Sequence, residues 1–303
     1  MCSGSLLNNA NQDNKPFFLT AFHCVDLDMP YGELSDEEKN DAEHWSFRFH
    51  YKIAHCGGSV VNTYITHNYA EFRAAWRPTD FVLMELLSTI CDVDCYVSFL
   101  GWDRSGNTPT SGTGIHHPNG DLMKISFDYH SLESNSDYKI GWPDGTISPL
   151  DTHWIVEYDN GAIEGGSSGS PLFDQNKRVI GQAHGSHRIS CPPNTQWYGQ
   201  FHQSWTGGGT DDTRLSNWLD PNNTTTTLNT LPCLTVNFKG TSTNPIIVNY
   251  YYTPTIIKSG RDINVQYVKV QNGAKLILDA PGEVNIISDF EVDLGSELEI
   301  NYP

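Results

Sequence analysis

Short runs of β-branched and aromatic residues, broken by Gly, Asn, Asp and Pro, recur along most of the chain. Ser59-Val60-Val61-Asn62-Thr63-Tyr64-Ile65 and Trp154-Ile155-Val156-Glu157-Tyr158 are examples, and each reads as a strand closed by a turn. Helical signals are few. Ser35-Asp36-Glu37-Glu38-Lys39-Asn40 opens like a short helix, with Ser35 as cap and Glu38 as its capping-box partner. Asn222-Asn223-Thr224-Thr225-Thr226-Thr227 is polar and low in complexity, which predicts a linker. Beyond it the pattern changes. Val270-Gln271-Asn272-Gly273-Ala274-Lys275-Leu276 aligns with Val292-Asp293-Leu294-Gly295-Ser296-Glu297-Leu298 at an offset of 22, and a less regular copy begins near Asp262. A period near 20 with strand-like alternation predicts a small β-solenoid or stacked-hairpin module. An ordinary three- or four-stranded sandwich is the plainer alternative. The expected division is a first domain over 1–221, a linker over 222–233 and a β-rich accessory module over 234–303.

Composition narrows the function classes. The 303 residues carry 18 basic and 36 acidic side chains, a net charge of −18. That excludes a basic nucleic-acid surface and adhesion to anionic membranes. No run of 18 or more apolar residues exists, so no helical membrane span is expected. The chain has 7 cysteines, which fits an oxidising compartment.

The candidate chemistry lies in three places. Thr20-Ala21-Phe22 runs into His23-Cys24, Asp80 sits in Thr79-Asp80-Phe81-Val82-Leu83, and Ser168 sits in Gly166-Ser167-Ser168-Gly169-Ser170-Pro171. Each alone is weak, since Gly/Ser runs are also linkers and most lone histidines are structural. Together they give histidine, aspartate and serine in that order, separated by 57 and 88 residues. A serine hydroxyl becomes a nucleophile when a histidine takes its proton and a carboxylate orients that histidine. The order rejects an α/β-hydrolase, which would run serine, acid, histidine.

Further stretches carry a resemblance: Cys2-Ser3-Gly4-Ser5-Leu6, Phe18-Leu19-Thr20-Ala21, Gly101-Trp102-Asp103-Arg104, Ile115-His116-His117-Pro118-Asn119, Ser204-Trp205-Thr206-Gly207-Gly208-Gly209 and Arg214 to Pro221. Over about residues 2 to 225 the chain resembles the lysyl endopeptidases, secreted bacterial serine proteases of the trypsin-like superfamily. The resemblance implies an all-β, chymotrypsin-like double β-barrel, here with its first segment apparently missing, and a terminal helix at Arg214 to Leu219. It implies a Cys2–Cys24 bridge that ties down the histidine loop. Cys91 and Cys95 are close enough to pair locally. Cys56 and Cys191 match family cysteines whose partners lie upstream of this start, and Cys233 has no assigned partner; the plainer reading for these three is buried free thiols. No signal peptide opens the chain, so the expectation is a fragment of a longer secreted, extracellular precursor.

The implied function is a serine endopeptidase that acts on polypeptide through an acyl-enzyme, with Ser168 as nucleophile, His23 as base and Asp80 as orienting acid. The N–H groups of Gly166 and Ser168 form the expected oxyanion hole. Ser167 stands where trypsin-like zymogens carry an aspartate, so activation by that ion pair is unavailable. Trp142 and His184 match the aromatic–imidazole pair of the family's cleft, Gly185 the residue that pairs with substrate backbone, and Glu164 a pocket residue. The departure is Gln196, two residues before Tyr198-Gly199, where lysine-cutting relatives place an aspartate. Lysine preference is therefore in question, with Glu164 the residue that could partly replace the missing charge. His187 or His202 would suit an acidic P1 residue, although surface or structural roles are the plainer reading. No cofactor or metal is implied, and His116-His117 reads as structural. The alternatives are a non-catalytic binding module or inactive fragment with the same fold, and an esterase or acyl transferase sharing the triad.

Overall fold

The computed structural model describes residues 1–53, 64–88, 90, 97–186, 195–233, 235–249, 251, 255–260, 262–280 and 282–301. Ser59 to Thr63 of one expected strand, and Cys56, Cys91, Cys95, His187 and Cys191, lie outside the described residues. The chain is all-β in class, with three short α-helices among the described residues, and divides into two compact units. One comprises Met1–Thr89 and Phe99–Thr230, the other Ile90–Ser98 and Leu231–Pro303. No described helix is long and apolar enough to cross a membrane.

The first unit holds two principal sheets. A four-stranded half-barrel contains β1 (Ser5–Leu7), β2 (Phe17–Ala21), β3 (Ala70–Trp76) and β4 (Phe81–Leu86), in the order β1-β2-β4-β3 with antiparallel neighbours. Leu7, Phe17, Leu19, Ala74, Phe81 and Leu83 turn inward to one core with Trp102, Phe173, Val179 and Phe201. Each large apolar side chain buried there contributes about 1.5–3 kcal/mol. The second sheet contains β5 (Trp102–Asp103), β6 (Gly112–His116), β7 (Lys124–Asp128), β8 (Glu133–Ser134), β9 (His153–Val156), β10 (Pro171–Phe173), β11 (Val179–Ser186), β12 (Gln196–Gln200) and β13 (Thr227–Leu228). Its main order is β7-β6-β10-β11-β12-β9-β8, with β5 alongside β11 and β13 alongside β5. The helices are α1 (Asp36–Glu43), α2 (Phe201–Thr206) and α3 (Ser216–Leu219). The capping box read at Ser35 and Glu38 forms at the head of α1.

The threonine run, where the linker is expected, carries hydrogen bonds from Asn223 to Leu228. Thr225 N–H donates to Asp220, Arg104 N–H to the Thr226 carbonyl, and Thr227-Leu228 pair with Asp103 and Trp102. The reason is local: Asp220 and Arg104 offer partners to a backbone that would otherwise rest on water.

The second unit stacks parallel strands. β14 (Thr235–Lys239), β15 (Ile246–Asn249) and β19 (Val284–Val292) pair with β17 (Asp262–Gln271), and β16 (Thr255–Ser259) and β20 (Glu297–Asn301) flank β18 (Lys275–Asp279). Val270 lies opposite Val292 and Leu276 opposite Leu298, so the offset of 22 in the sequence is the step between rungs. Gly273 and Gly295 occupy the same turn of successive rungs, both at positive φ, which only glycine adopts freely. Val265, Val270, Leu276 and Leu278 fill the interior, and Lys275 pairs with Glu297 and Glu299 outside. The module is a small β-solenoid.

Candidate active site

His23 lies in a 3₁₀ turn, Phe22–Cys24, that continues β2. Asp80 follows a second such turn, Arg77–Thr79, started by Pro78. Asp80 takes the left-handed conformation, φ 62°, which aspartate and asparagine tolerate better than other residues. Two contacts fix this corner from below. Gln182 Nε2 donates to the Thr79 carbonyl at 2.6 Å, and Ser204 Oγ donates to Thr79 Oγ1 at 2.9 Å. Across the two turns, Phe22 N–H donates to the Asp80 carbonyl at 2.8 Å.

These elements bring His23, Asp80 and Ser168 together. His23 Nδ1 lies 2.9 Å from Asp80 Oδ2, and His23 Nε2 lies 2.8 Å from Ser168 Oγ. His23 N–H also donates to Asp80 Oδ1 at 2.9 Å. The Asp80 side chain is 2% exposed and that of His23 33%, so the carboxylate is shielded while the imidazole reaches solvent. Burial pushes the His23 pKa down, but the charge and hydrogen bond of Asp80 outweigh it and hold it above 6.5.

The serine loop has a defined orientation. Asn119 N–H donates to the Gly165 carbonyl at 2.6 Å, and Ser170 N–H to the Ser167 carbonyl at 3.0 Å. In a planar trans peptide the N–H points away from its carbonyl. The Gly166 and Ser168 N–H groups therefore face away from these contacts, and neither has an intramolecular partner among the described residues. Gly166 and Gly169 sit at φ +91° and +81°. A Cβ at Gly169 would lie 2.5 Å from the Ser3 carbonyl oxygen and 2.7 Å from the Ala21 nitrogen, so the loop packs directly on backbone.

Ser3, unassigned from sequence, braces the loop. Its N–H donates to the Ser168 carbonyl and its Oγ to the Gly166 carbonyl, both at 2.8 Å. The Cys2–Cys24 disulfide, as the resemblance implied, joins this brace to the histidine turn. Its only sequence signal is adjacency to Cys2. Cys233, which the sequence left without an assigned partner, is disulfide-bonded, so the free-thiol alternative does not hold for it.

The expected cleft residues separate into two groups. Trp142 stacks on His184 with ring centroids 3.5 Å apart, and His184 stacks on His23 at 5.4 Å. Gly185 has β12 on one side and no strand on the other among the described residues, an edge onto which an extended peptide can add. Gln196 is fully buried on β12. Glu164 is exposed instead, and its Oε2 accepts from Asn119 Nδ2 at 2.5 Å. His202 packs on Trp154 in a cavity of about 110 Å³ that no triad residue lines. His153 carried no sequence signal, a lone histidine in a strand. It is buried with Nε2 2.9 Å from His184 Nδ1, and burial pushes its pKa to about 3, so the pair is neutral.

Two groups of the described residues have metal-like spacing, His23–Asp80–His184 and Asp128–His130–Asp159. In the second, Asp128 accepts from the His130 and Glu157 N–H groups and Asp159 from Tyr129 N–H, while the His130 ring is exposed.

A curated relative, lysyl endopeptidase of Pseudomonas aeruginosa, is 26% identical over 212 residues, 65% of this chain and 39% of its own length. The chain thus spans about two fifths of that relative. Among solved structures, the MamO protease domain from Magnetospirillum magneticum is 12% identical, covering 66% of this chain and 82% of that one at a TM-score of 0.39. A Glu endopeptidase in complex with MPD is 14% identical, covering 66% and 79% at a TM-score of 0.41. The lysyl endopeptidase C-terminal domain family matches residues 1–201, the span that contains the whole site, and the chain belongs to that family.

Proposed function

We propose that the chain is a secreted serine endopeptidase that hydrolyses peptide bonds through an acyl-enzyme. The observation that carries this reading is the unbroken hydrogen-bonded line Ser168–His23–Asp80, with links of 2.8 and 2.9 Å. Ser168 Oγ attacks the scissile carbonyl while His23 Nε2 takes its proton. His23 then returns that proton to the leaving amine, and water repeats the sequence on the acyl-enzyme. General base catalysis of this kind contributes about 10²–10⁴-fold. Asp80 accepts from Nδ1–H, which leaves Nε2 unprotonated toward serine and stabilises the imidazolium. The Gly166 and Ser168 N–H groups receive the oxyanion, each worth about 3–4 kcal/mol when lost. The edge at Gly185 takes the substrate backbone, under the Trp142–His184 stack.

The proposed P1 pocket is polar and uncharged at its base. Gln196 stands buried where lysine-cutting relatives have an acid, and Glu164 lies at the surface, engaged by Asn119. A lysine ammonium buried there would lack a carboxylate, at a cost of several kcal/mol. The Cys2–Cys24 bridge supports an extracellular site of action. A cleavage-site profile on a denatured protein mixture tests activity and P1 preference together. Cleavage abolished by Ser168→Ala, with no dominance of Lys at P1, is the expected result. No cleavage by the wild type, or cleavage that survives Ser168→Ala, overturns the proposal.

A further inference from the structure

His116 ends β6 and is 1% exposed, yet both of its ring nitrogens are hydrogen-bonded. Nδ1 lies 2.9 Å from Ser167 Oγ, and Nε2 lies 2.9 Å from Ser126 Oγ on β7. Ser167, the neighbour of Ser168, is fully buried. Its Oγ also accepts from Glu164 N–H at 3.2 Å, and Ser167 N–H donates to the Glu164 carbonyl at 3.0 Å. Since Glu164 N–H fills one acceptor site of Ser167 Oγ, the hydroxyl proton is free to point at Nδ1. In the tautomer with its proton on Nε2, Nδ1 accepts from Ser167 and Nε2–H donates to Ser126. One neutral imidazole thus joins two strands of the second sheet to the turn that bears the nucleophile.

We propose that His116 is a positioning residue that, through Ser167, holds the Gly166–Ser168 turn with its two N–H groups facing the cleft. This rests on the serine-peptidase reading above. The link carries no charge: burial, with a smaller contribution from His117, pushes the His116 pKa to about 4. The brace is therefore made of neutral hydrogen bonds alone. Ser3 holds the Gly166 and Ser168 carbonyls, and His116 holds the side chain of Ser167 between them.

The test uses the full chain with Ser167→Ala and His116→Leu, and His116→Gln as the variant that keeps a donor and an acceptor. Loss of a properly placed oxyanion donor lowers kcat on the order of 10²-fold. Ser167→Ala and His116→Leu should each lower kcat on a peptide amide to that extent with KM little changed, and His116→Gln should recover part of it. Hydrogen exchange gives a readout that does not need activity. In His116→Leu the Ser167 and Ser170 amides, protected in the wild type by Glu164 and Ser167 carbonyls, should exchange faster while Leu83 and Val82 amides of β4 do not. Unchanged kcat in both variants of an active enzyme overturns the proposal. Unchanged exchange at Ser167 and Ser170 overturns it even if the wild type hydrolyses nothing, so its failure is separable from failure of the peptidase reading.

Discussion

Asp80→Asn separates the electrostatic role of Asp80 from its role in the fold. Asparagine is the right probe, because Asp80 sits at φ 62° and asparagine also accepts the left-handed region. Volume is kept, and Oδ1 still receives His23 N–H, a bond of 2.9 Å in the wild type. What changes is the contact of Oδ2 with His23 Nδ1, also 2.9 Å. An amide N–H₂ there donates, so Nδ1 must accept and the ring proton moves to Nε2. That proton then points at Ser168 Oγ, 2.8 Å away, and His23 no longer takes the serine proton. A wrong tautomer of this kind costs about 10⁴ in kcat, or roughly 5 kcal/mol at 1.36 kcal/mol per decade. The pH profile gives a second reading. His23 must be neutral to act, so kcat/KM falls as pH drops through its pKa, which Asp80 holds above 6.5. Without the carboxylate, burial acts against only the smaller contributions of Asp144 and Asp26, and the acid limb moves to lower pH. Steady-state kinetics on a peptide amide over a pH series measures both. A loss of about tenfold or less, or an acid limb that stays in place, refutes the role given to Asp80.

Other expectations follow from single positions. Gly169→Ala places a Cβ 2.4 Å from Thr20 Oγ1 and against two backbone atoms at φ +81°, so thermal denaturation should show a loss of about 2 kcal/mol or more; an unchanged Tm contradicts the packing beneath the serine loop. Gln196→Asp should raise kcat/KM for lysine substrates by about 30–150-fold, equivalent to 2–3 kcal/mol for a desolvated pair gained in the transition state. Matched Lys, Arg, Gln and Leu substrates decide it, and strong wild-type cleavage after Lys refutes Gln196 as the residue that sets specificity. Leu276→Ala empties a fully buried position in the solenoid and should cost about 2–5 kcal/mol, read as faster hydrogen exchange across β18; unaltered exchange there contradicts the assigned interior.

The sequence made the strand-rich class, the capping box of α1 and the solenoid step readable, because each has a local or periodic signature. Val270 and Val292 stand 22 residues apart in the sequence and face each other across a rung for the same reason: each turn of the solenoid repeats the same strand pairing. His23, Asp80 and Ser168 were readable as motifs, and the fold juxtaposes them. The buried braces were not readable. Ser3, Gln182, Ser204 and His153 act through partners far off in sequence, Ser3 on Ser168 and Gln182 on Thr79, and no spacing rule encodes such pairs. His116 was read as structural from the lack of nearby metal ligands, and its tie to Ser167 emerges only when β6 passes behind the serine loop. The bonds that the threonine run makes were not readable either. Its polarity suits a linker, but it equally suits backbone that finds Asp220 and Arg104 in reach.

The central claim is that Ser168 is the activated nucleophile. A phosphonylating serine reagent, followed by peptide mass mapping, tests it at the atom concerned. The 2.8 Å contact to His23 Nε2 predicts one stoichiometric adduct on Ser168, slowed by acid pH and abolished by His23→Ala. An adduct on Ser167 or Ser170 with Ser168 unmodified, or no adduct on the native chain, would contradict it.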